Sequence, residues 1–374
     1  MGLKTYPPQQ RLDLFGKVKK LGEATEFEAS ESPLERQDFP FRCWIYPSVG
    51  KGRCIPILKL LLSDDCQNNC FYCALRADRG SPRLSLSPEE IFSAFSELYR
   101  RGLIEGIFLS SSVFESPRKT MDKLIQAAEA IRFKGGFQGY IHLKIMPGAE
   151  LSQVEKGAEL ANRISVNLEA VSPQHLKRIS PSKDMVKDIL PQLQHARDFI
   201  QRAGKGKTLT TQFVVGASHE TDREILSLSY QLYKEYSLAR CYFSAFKPIP
   251  GTPFENLSPS PKVRETRLYQ ADMLIRNYGF LPQELIYDSA GDLAHDQDPK
   301  LKWALQHRET FPIEVNQAES EKLMRVPGIG PFSSSKIVQM RRKCKIKSTA
   351  DLKILGVNVK RASPFILLAG KKTK

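Results

Sequence analysis

Residues 55–73 of the chain read Ile-Pro-Ile-Leu-Lys-Leu-Leu-Leu-Ser-Asp-Asp-Cys-Gln-Asn-Asn-Cys-Phe-Tyr-Cys. The apolar run at residues 55–62 is short and is followed at once by a polar loop, which favours a buried strand. The loop carries three of the seven cysteines of the chain. A strand that ends in such a loop is typical of parallel sheets, whose sites lie at the carboxyl ends of the strands.

The spacing of Cys66, Cys70 and Cys73 indicates a metal centre. Three thiolates on one short loop can bind three corners of a [4Fe–4S] cluster and leave the fourth iron open. The main alternative is a zinc site, which normally takes a fourth Cys or His at matching spacing. Cys241 and Cys344 stand isolated in the sequence and do not supply that pattern. Three ordinary buried cysteines are not expected in so polar a loop.

This C-x3-C-x2-C run, with Tyr72 before its last cysteine, resembles the radical S-adenosylmethionine (SAM) superfamily. The resemblance implies that the open iron binds the amino and carboxylate groups of SAM. Reductive cleavage of SAM would then give a 5′-deoxyadenosyl radical that takes a hydrogen atom from the substrate. The expected cofactors are a [4Fe–4S] cluster, with Cys66, Cys70 and Cys73 as its ligands, and SAM.

Strand-like and helix-like segments alternate beyond the cysteines. Strands are predicted at residues 55–62, 106–109, 139–145, 163–168, 209–215 and 240–243, with amphipathic helices at 88–101, 118–132, 151–161, 184–202 and 221–236. This order predicts a parallel sheet with right-handed crossovers. The predicted fold class is α/β, a partial (β/α)6 TIM-like barrel followed by a small all-α C-terminal domain. The predicted domains are an N-terminal extension (1–50), the core (51–255), a helical and loop connection (256–312) and the C-terminal domain (313–374).

The superfamily resemblance also implies where SAM is bound. The segment after the second predicted strand holds the amino group of SAM in the superfamily, and here it is a run of serines where Gly-Gly-Glu is usual. Polar residues on the fourth strand contact the ribose and the methionyl part, and the fifth strand contacts adenine. The expected SAM-binding residues are Tyr72, Ser110, Ser111, Ser112, Ser165, Asn167, Glu169, Gln212 and Val214.

Three further residues are candidates for the interior of the barrel. Cys241 on the sixth predicted strand is a candidate hydrogen-atom relay, as in the spore photoproduct lyases that this core also resembles, although a strand cysteine is more often simply buried. His142 and Lys144 alternate onto one face of the third predicted strand and are candidates to line the cavity, or to serve as ordinary packing residues.

The charge of the chain is concentrated near its C-terminus. The net charge is +15 over 374 residues, and residues 321–374 hold fourteen Lys and Arg against two acidic residues. A surplus of this size predicts a polyanion partner. No apolar run approaches the roughly 20 residues of a membrane span, and no signal peptide is apparent. A protein of the cytoplasm, with no membrane partner, is therefore expected.

A hairpin sequence lies within the basic segment. Residues 326–331 read Val-Pro-Gly-Ile-Gly-Pro, which resembles the helix-hairpin-helix motif of DNA-binding proteins. Glycines allow a tight turn, and the main-chain N–H groups of such a turn face a phosphate oxygen. The expected nucleic-acid-binding residues are Gly328, Gly330, Lys336, Arg341, Arg342 and Lys343. A turn between two packed helices with no ligand is the alternative.

The combination of these two parts resembles a bacterial family described as DNA modification or repair radical SAM proteins, often encoded beside a uracil-DNA glycosylase-like protein. The resemblance implies DNA as a partner, that glycosylase-like protein as a second, and an electron donor such as flavodoxin or ferredoxin. The same chemistry on RNA, such as tRNA modification, stays open. So does a DNA-binding adaptor whose Fe–S cluster is structural or redox-sensing. A methylthio-transferring enzyme is less favoured, because the other four cysteines are scattered.

Overall fold

The computed structural model describes residues 12–27, 45–50, 53–80, 83–204 and 206–373. The chain divides into two compact units, residues 1–219 with 232–260 and residues 220–231 with 261–374. The predicted N-terminal extension at residues 1–50 falls largely outside the described residues. Its described parts are helix α1 (Leu14–Glu23), a short 3-10 turn after it, and strand β1 (Ile45–Gly50). The boundaries of the other predicted domains stay a prediction.

The first unit is built on one seven-stranded sheet in the order β1 to β7. The strands after β1 are β2 Arg53–Leu61, β3 Gly106–Ser110, β4 Tyr140–Lys144, β5 Arg163–Ser165, β6 Thr208–Val215 and β7 Arg240–Ala245. Strand β1 pairs antiparallel with β2, and β2 to β7 are all parallel. The sheet curls into a half-barrel, so the predicted α/β fold with a partial TIM-like barrel is confirmed.

Helices connect the parallel strands. They are α2 Pro88–Arg100, α3 Pro117–Glu129, α4 Leu151–Leu160, α5 Pro173–Ile179, α6 Leu190–Ala203 and α7 Asp222–Glu235. Helices α2, α3 and α5 begin alike, with proline in the first turn and a serine whose side chain accepts a hydrogen bond from a main-chain N–H. Both features favour a helix start, since proline is preset for helical φ and serine satisfies an orphan donor. Local sequence therefore fixes where these crossovers begin.

The two faces of the sheet differ in chemistry. Leu109, Leu143 and Ile164 are paired across β3, β4 and β5 and are buried. A Cβ at Gly157 of α4 would lie 3.0 Å from Leu143, so helices cover this apolar face. The neighbouring residues on the same strands point the other way, because side chains alternate along a strand. That inner face of the half-barrel carries polar and charged side chains, among them His142.

The fifth strand is shorter than predicted. Strand β5 ends at Ser165, and the five residues from Ser165 to Glu169 lie opposite the four residues from Thr210 to Phe213. Glu169 has a φ of 65°, in the left-handed region that non-glycine residues rarely adopt. The extra residue and this turn break the alternation of a regular strand. The predicted strand at residues 163–168 therefore ends three residues early, at Ser165.

The second unit is mainly helical. Besides residues 222–231 of α7, its helices are α8 Lys262–Tyr278, α9 Pro299–Gln306, α10 Ser320–Arg325, α11 Pro331–Arg341, α12 Thr349–Ile354 and α13 Val359–Ala362. A chain of aromatic contacts joins Phe280, Trp303, Phe311 and Phe365, with ring centroids 5.1 to 6.2 Å apart. A three-stranded sheet is also present, formed by β8 Ile313–Glu314, β9 Ile366–Leu368 and β10 Lys371–Lys372. The prediction of an all-α domain missed this sheet because its strands are too short to show a periodicity.

Within the described residues, no helix is both long enough and apolar enough to cross a membrane.

Candidate active site at the carboxyl end of the sheet

The predicted cluster ligands lie on the loop that follows β2, which we call the cysteine loop (residues 66–73). Cys70 is buried, with its Sγ 3.0 Å from the Ser180 hydroxyl, and Cys66 and Cys73 are half-buried. The main chain of the loop is held on two sides. The Gln67 N–H donates to the Val113 carbonyl at 2.7 Å, and the Phe71 N–H donates to the Ile179 carbonyl at 2.8 Å. The loop is thus fastened between the ends of β3 and α5.

One arginine joins the two ends of the cysteine loop. The guanidinium of Arg83 donates to four main-chain carbonyls, two of them at 2.6 and 2.7 Å. These carbonyls belong to Asp64, before the loop, and to Leu75, Arg76 and Arg79, after it. Sequence reasoning missed this role, because nothing in the residue pattern links Arg83 to main-chain carbonyls. Arg83 therefore positions the loop.

A buried lysine stands beside the three cysteines. Lys183 is nearly buried, and its Nζ lies 3.4 Å from a carboxylate oxygen of Glu169. Burial alone would lower the pKa of Lys183. Negative charge on Cys70, Glu169 and the two other cysteines, as thiolates, outweighs burial and raises that pKa above its ordinary range. The segment 179–183, which supplies Ser180 and Lys183, was also missed by the sequence analysis.

Two of the three thiols, those of Cys66 and Cys73, have raised pKa values. Burial raises the pKa of the Cys66 thiol, and burial together with the nearby Cys70 raises the pKa of Cys73 to about 12. Such thiols stay protonated at neutral pH unless a metal takes the place of the proton. Lys183 places a positive charge where three thiolates and a cluster would concentrate negative charge. The donor set and its surroundings therefore fit an Fe–S cluster.

The arrangement differs from the site of a single metal ion. Among the residues that the structure describes, no group of three or more His, Cys, Asp or Glu side chains is arranged to hold one ion. A cubane cluster has a different requirement, because each thiolate binds its own iron.

The predicted serine run begins at Ser110, the last residue of β3, and continues beyond the strand. All three serines are buried. The Ser112 hydroxyl is engaged by the main chain, since it donates to the Ser63 carbonyl at 2.9 Å and also contacts the carbonyl of Asp65, next to Cys66. Ser111 is different: in the described part of the chain its buried Oγ has no hydrogen-bond partner. Ser112 thus supports the cysteine loop, and Ser111 has a hydroxyl available for a ligand.

Two further predicted residues present unsatisfied polar atoms. Within the described ranges, Ser165 Oγ and Asn167 Nδ2 are buried and make no hydrogen bond. A buried polar group without a partner is costly and is rare unless a ligand satisfies it. Together with Ser111, these atoms lie at the ends of neighbouring strands. They fit the amino, carboxylate and ribose groups of SAM.

The other predicted SAM residues take varied positions. Gln212 and Val214 are buried on β6, in the alternation that follows Thr210 and faces the inside of the half-barrel. Tyr72 is half-buried on the cysteine loop. Glu169 is committed to its ion pair with Lys183. The structure thus gathers these residues around the same end of the sheet, and their roles toward SAM stay a prediction.

Cys241 does not face the interior of the half-barrel. It pairs with Thr211, next to the pair of Phe213 and Phe243, so its side chain lies on the helix-covered face of the sheet. It is fully buried, and its N–H donates to the Tyr233 hydroxyl at 3.0 Å. The hypothesis of a hydrogen-atom relay at Cys241 is corrected by this register, because a one-residue offset along a strand reverses the face.

The second unit contains two helix-turn-helix pairs that interlock. Helices α10 and α11 flank the first turn, and α12 and α13 flank the second. The Asn358 N–H of the second turn donates to the Gly328 carbonyl of the first at 2.9 Å. In return, the Ser333 hydroxyl at the start of α11 donates to the Gly356 carbonyl at 2.8 Å. The second turn is thus packed against the first.

The predicted nucleic-acid-binding residues divide into two groups. Gly328 has a φ of 90°, and a Cβ there would lie 2.5 Å from the Asn358 carbonyl, so this glycine serves the packing of the two turns. Gly330 is the residue before α11 and lies against the Tyr278 hydroxyl. Lys336 lies with its Nζ 4.2 Å from the centroid of the Phe332 ring, one turn into α11. Gly328, Gly330 and Lys336 thus all lie at or next to the first turn.

The three basic residues at the end of α11, Arg341, Arg342 and Lys343, do not lie at the hairpin turn. Arg341 points inward and donates to the carbonyls of Val315 at 3.0 Å and Ala318 at 2.5 Å. Arg342 and Lys343 are exposed, but an eleven-residue helix separates them from the hairpin by roughly 16 Å at 1.5 Å per residue. Arg342 and Lys343 therefore lie away from the hairpin turn itself. For Arg341, the structure shows a contact with the protein's own main chain instead.

Comparison with protein families supports the interpretation of this site. Residues 60–229 match the model of the Radical SAM superfamily. The chain carries a radical SAM domain. The matched segment begins in β2, includes the cysteine loop and ends in α7. This is an enzyme domain whose chemistry requires a [4Fe–4S] cluster and SAM, so the predicted enzyme class and cofactors are confirmed.

Curated relatives of this radical SAM domain have varied activities. One is a threonylcarbamoyladenosine tRNA methylthiotransferase, MtaB, of Thermotoga maritima, 23% identical over 212 residues, which are 54% of this chain and 47% of the relative. Another is a 7,8-didemethyl-8-hydroxy-5-deazariboflavin synthase of Methanosarcina barkeri, 26% identical over 252 residues, which are 63% of this chain and 71% of the relative. The chain thus spans about half the length of the methylthiotransferase.

Solved structures similar to the radical SAM domain include the FeFe-hydrogenase maturase HydG from Carboxydothermus hydrogenoformans. The TM-score is 0.47 at 18% identity, with 59% of this chain and 51% of that chain covered. Methylornithine synthase (PylB) has a TM-score of 0.47 at 16% identity, with 58% and 62% covered.

Proposed function

We propose that this protein is a radical SAM enzyme that modifies or repairs a nucleic acid, with DNA as the first candidate substrate. When bound, the cluster and SAM supply a 5′-deoxyadenosyl radical that abstracts a hydrogen atom. The nucleic-acid part of the proposal rests on one observation, the pair of interlocked helix-turn-helix units in a segment with fourteen basic and two acidic residues. The family resemblance of the sequence points the same way.

The residues of the chain have distinct tasks in this proposal. Cys66, Cys70 and Cys73 hold the cluster, and Arg83 keeps the ends of their loop together. Ser111, Ser165 and Asn167 bind the polar groups of SAM through atoms that have no partner within the described chain. Lys183 offsets the negative charge of the thiolates. The carbonyl contacts of Ser112 fix the position of Cys66 relative to β3.

The hairpin units form the nucleic-acid contact in this proposal, as a helix-hairpin-helix module. The first turn leads into the N-terminus of α11, whose N–H groups favour a phosphate oxygen. Phe332 is 68% exposed at this helix start, with Lys336 against its ring, and Ile354 on the second pair is 77% exposed. An exposed ring flanked by a cation can pack on a sugar or base while the cation contacts phosphate. Such contacts bind the backbone with little dependence on base sequence.

RNA is the second candidate substrate. One curated relative is named as a tRNA methylthiotransferase, and phosphate contacts of this kind do not distinguish RNA from DNA. The adaptor hypothesis, in which the cluster has no turnover, is disfavoured by the unsatisfied polar atoms beside the cysteine loop, which a purely structural cluster would not require. A uracil-DNA glycosylase-like partner, a flavodoxin or ferredoxin as electron donor, and a cytoplasmic location belong to the same proposal.

The test is release of 5′-deoxyadenosine by the anaerobically reconstituted protein with dithionite as reductant. Reactions contain duplex DNA, single-stranded DNA, tRNA or no nucleic acid. We expect release to be stimulated by DNA more than by RNA. Stimulation by tRNA alone would assign the enzyme to RNA. An intact cluster with no release under any condition would support the adaptor hypothesis instead.

A further inference from the structure

An aromatic ring is exposed at the start of α11 in the second unit. Phe332 is the second residue of this helix and is 68% exposed. The two residues that follow it are buried, so its exposure does not come from a loosely packed helix end. A single exposed apolar side chain is common on protein surfaces. The case for a partner therefore depends on how this ring is held and on what surrounds it.

The main chain on both sides of the ring is held in place. Pro331 precedes it, and the pyrrolidine ring of a proline fixes φ. After it, the Ser333 hydroxyl donates to the Gly356 carbonyl at 2.8 Å, and the Ser334 hydroxyl donates to a main-chain carbonyl of α10 at 3.0 Å. A side chain whose backbone is fixed in advance loses little conformational entropy when it binds a partner. The ring is therefore preorganised for contact.

The surroundings of the ring are positively charged. Lys336, one turn further along α11, lies with its Nζ 4.2 Å from the centroid of the Phe332 ring. The ammonium does not enclose the ring, because most of the surface of Phe332 stays accessible. Helix α11 contains no aspartate or glutamate, and residues 321–374 hold fourteen basic residues against two acidic ones. Such a surface suits a partner that is both aromatic and anionic, as a nucleotide is.

Both hairpins contribute exposed apolar side chains near this ring. On α11, Met340 follows Lys336 by four residues, on the same face of the helix, and is exposed. On the second hairpin, a Cβ at Gly356 would lie 3.9 Å from an edge atom of the Phe332 ring. Ile354, two residues before Gly356, is also exposed. The ring therefore lies where the two hairpins meet, and it is accompanied by exposed apolar groups from each.

We propose that Phe332 stacks on an unpaired base, so that the second unit binds single-stranded nucleic acid in preference to duplex. The proposal rests on the proposed function, and it specifies the form of nucleic acid that the enzyme receives. Bases inside a duplex have both faces covered by their neighbours, whereas an unpaired base has a face free for a side-chain ring. Lys336 then contacts the phosphate beside that base. Stacking tolerates any base, so the preference is for an unpaired strand of any sequence.

The test compares nucleic acids that differ in whether their bases are free to stack. Fluorescence anisotropy of the full-length reconstituted protein uses labelled DNA of one length in three forms: a single strand, the same strand with abasic sites in place of its bases, and the blunt duplex. The variants are Phe332→Leu, which stays apolar without a ring, and Phe332→Tyr, which keeps the ring. Phe133→Leu is the matched control, because Phe133 is 72% exposed in the first unit. Circular dichroism and thermal unfolding establish that each variant is folded.

We expect the wild-type protein to bind the single strand more tightly than either the abasic strand or the duplex. Phe332→Leu should weaken single-strand binding roughly fivefold to hundredfold, the range for one lost base stack, and should leave binding of the other two forms nearly unchanged. Phe332→Tyr and Phe133→Leu should bind as wild type does. The salt dependence should be the same throughout, because no charge is removed.

Three results would overturn the proposal. The first is unchanged single-strand binding by folded Phe332→Leu. The second is an equal loss for all three forms of DNA, since the abasic strand has no base to stack. The third is tighter binding of the duplex than of the single strand by the wild-type protein.

A second measurement separates nucleic acid from a second copy of the chain as the partner of this ring. Sedimentation velocity without nucleic acid should give the same species for wild type and Phe332→Leu. Self-association that Phe332→Leu abolishes would assign the ring to a protein interface and overturn the proposal. The outcome is also distinct from that of the proposed function. If Phe332 selects single strands but no nucleic acid stimulates SAM cleavage, the stacking site stands and the proposed function fails.

Discussion

The two units of this protein use positive charge in different ways. In the first unit, cations lie on the inner face of a half-barrel whose strands contain no carboxylate. Lys59 is fully buried there and lies with its ammonium 4.7 Å from the centroid of the Tyr46 ring. In the second, most described cations of residues 321–374 are exposed, and Ser333, which joins the two helical hairpins, is buried. Exposed cations attract any polyanion and are screened by salt.

This difference suggests a division of labour between the units. Backbone binding by the second unit would supply affinity for nucleic acid of any sequence, with a strong salt dependence. Selection of the group that reacts would then belong to the half-barrel, where polar atoms lacking partners and the cysteine loop lie at the ends of the strands. Variants that separate cofactor chemistry from nucleic-acid binding test this division.

The largest effect is expected for the cluster ligands. Cys70→Ala should abolish cluster assembly and 5′-deoxyadenosine release, because a cubane bound at three corners loses one of its three anchors. Cys344→Ala is the matched control, since Cys344 is exposed in the second unit. Iron content, the visible spectrum and product release are measured. A cluster that persists and turns over in Cys70→Ala would contradict the ligand assignment. DNA binding should survive in both variants.

For variants of the hairpins we expect the opposite result, in which DNA binding is weakened and cluster assembly is kept. Gly328→Ala places a Cβ 2.5 Å from the Asn358 carbonyl at a φ of 90° and should separate the two turns. Gly370→Ala, at a φ of 78° with open space around it, has the backbone strain without the clash. The strain should cost about 1–2 kcal/mol in either variant, and only Gly328→Ala should also lose DNA affinity. Thermal unfolding and fluorescence anisotropy measure the two effects. Equal DNA affinity in both variants would show that the hairpins do not form the DNA-binding surface.

A smaller effect is expected at Lys183. Lys183→Met removes the positive charge beside the three thiols and should lower the reduction potential of the assembled cluster by on the order of tens of millivolts, since the reduced cluster carries more negative charge. Lys156→Met is the control, on the exposed face of α4. Protein-film voltammetry or dye-mediated titration gives the potential. An unchanged or raised potential in Lys183→Met would show that this charge is not directed at the cluster.

The smallest effects are expected at the end of α11. Arg341→Ala should lower the stability by about 1–3 kcal/mol, because two carbonyl groups lose their donor. Arg342→Ala should change stability by less than about 0.5 kcal/mol, as is usual for exposed positions, and should leave DNA affinity near that of wild type. Thermal denaturation and a salt titration of DNA binding test the pair. If the DNA affinity of Arg342→Ala depended clearly less on salt than that of wild type, Arg342 would be shown to contact DNA.

The main elements of the first unit could be predicted from sequence because their signals are local. Serine and proline mark the start of α2, α3 and α5, and β-strand runs alternate with amphipathic stretches. The cysteine spacing likewise lies within eight residues. These features depend on neighbours in the chain and little on the rest of the fold.

Features that depend on distant residues could not be predicted in this way. The contact of Cys70 with Ser180 spans 110 positions. The face on which Cys241 lies was set by a register that one residue would reverse. The turn at Glu169 inserts an extra residue that the alternation of a strand does not show. In the hairpin, the motif identified the turn, but only packing showed that Gly328 faces Asn358.

The most direct test of the central claim follows a hydrogen atom from nucleic acid to cofactor. The reconstituted protein is given perdeuterated DNA or perdeuterated RNA, with SAM and dithionite, and the 5′-deoxyadenosine formed is analysed by mass spectrometry. We predict deuterium in the product with DNA, well above the level found with RNA. Product without deuterium from either polymer would contradict the claim that a nucleic acid is the substrate of this radical SAM enzyme.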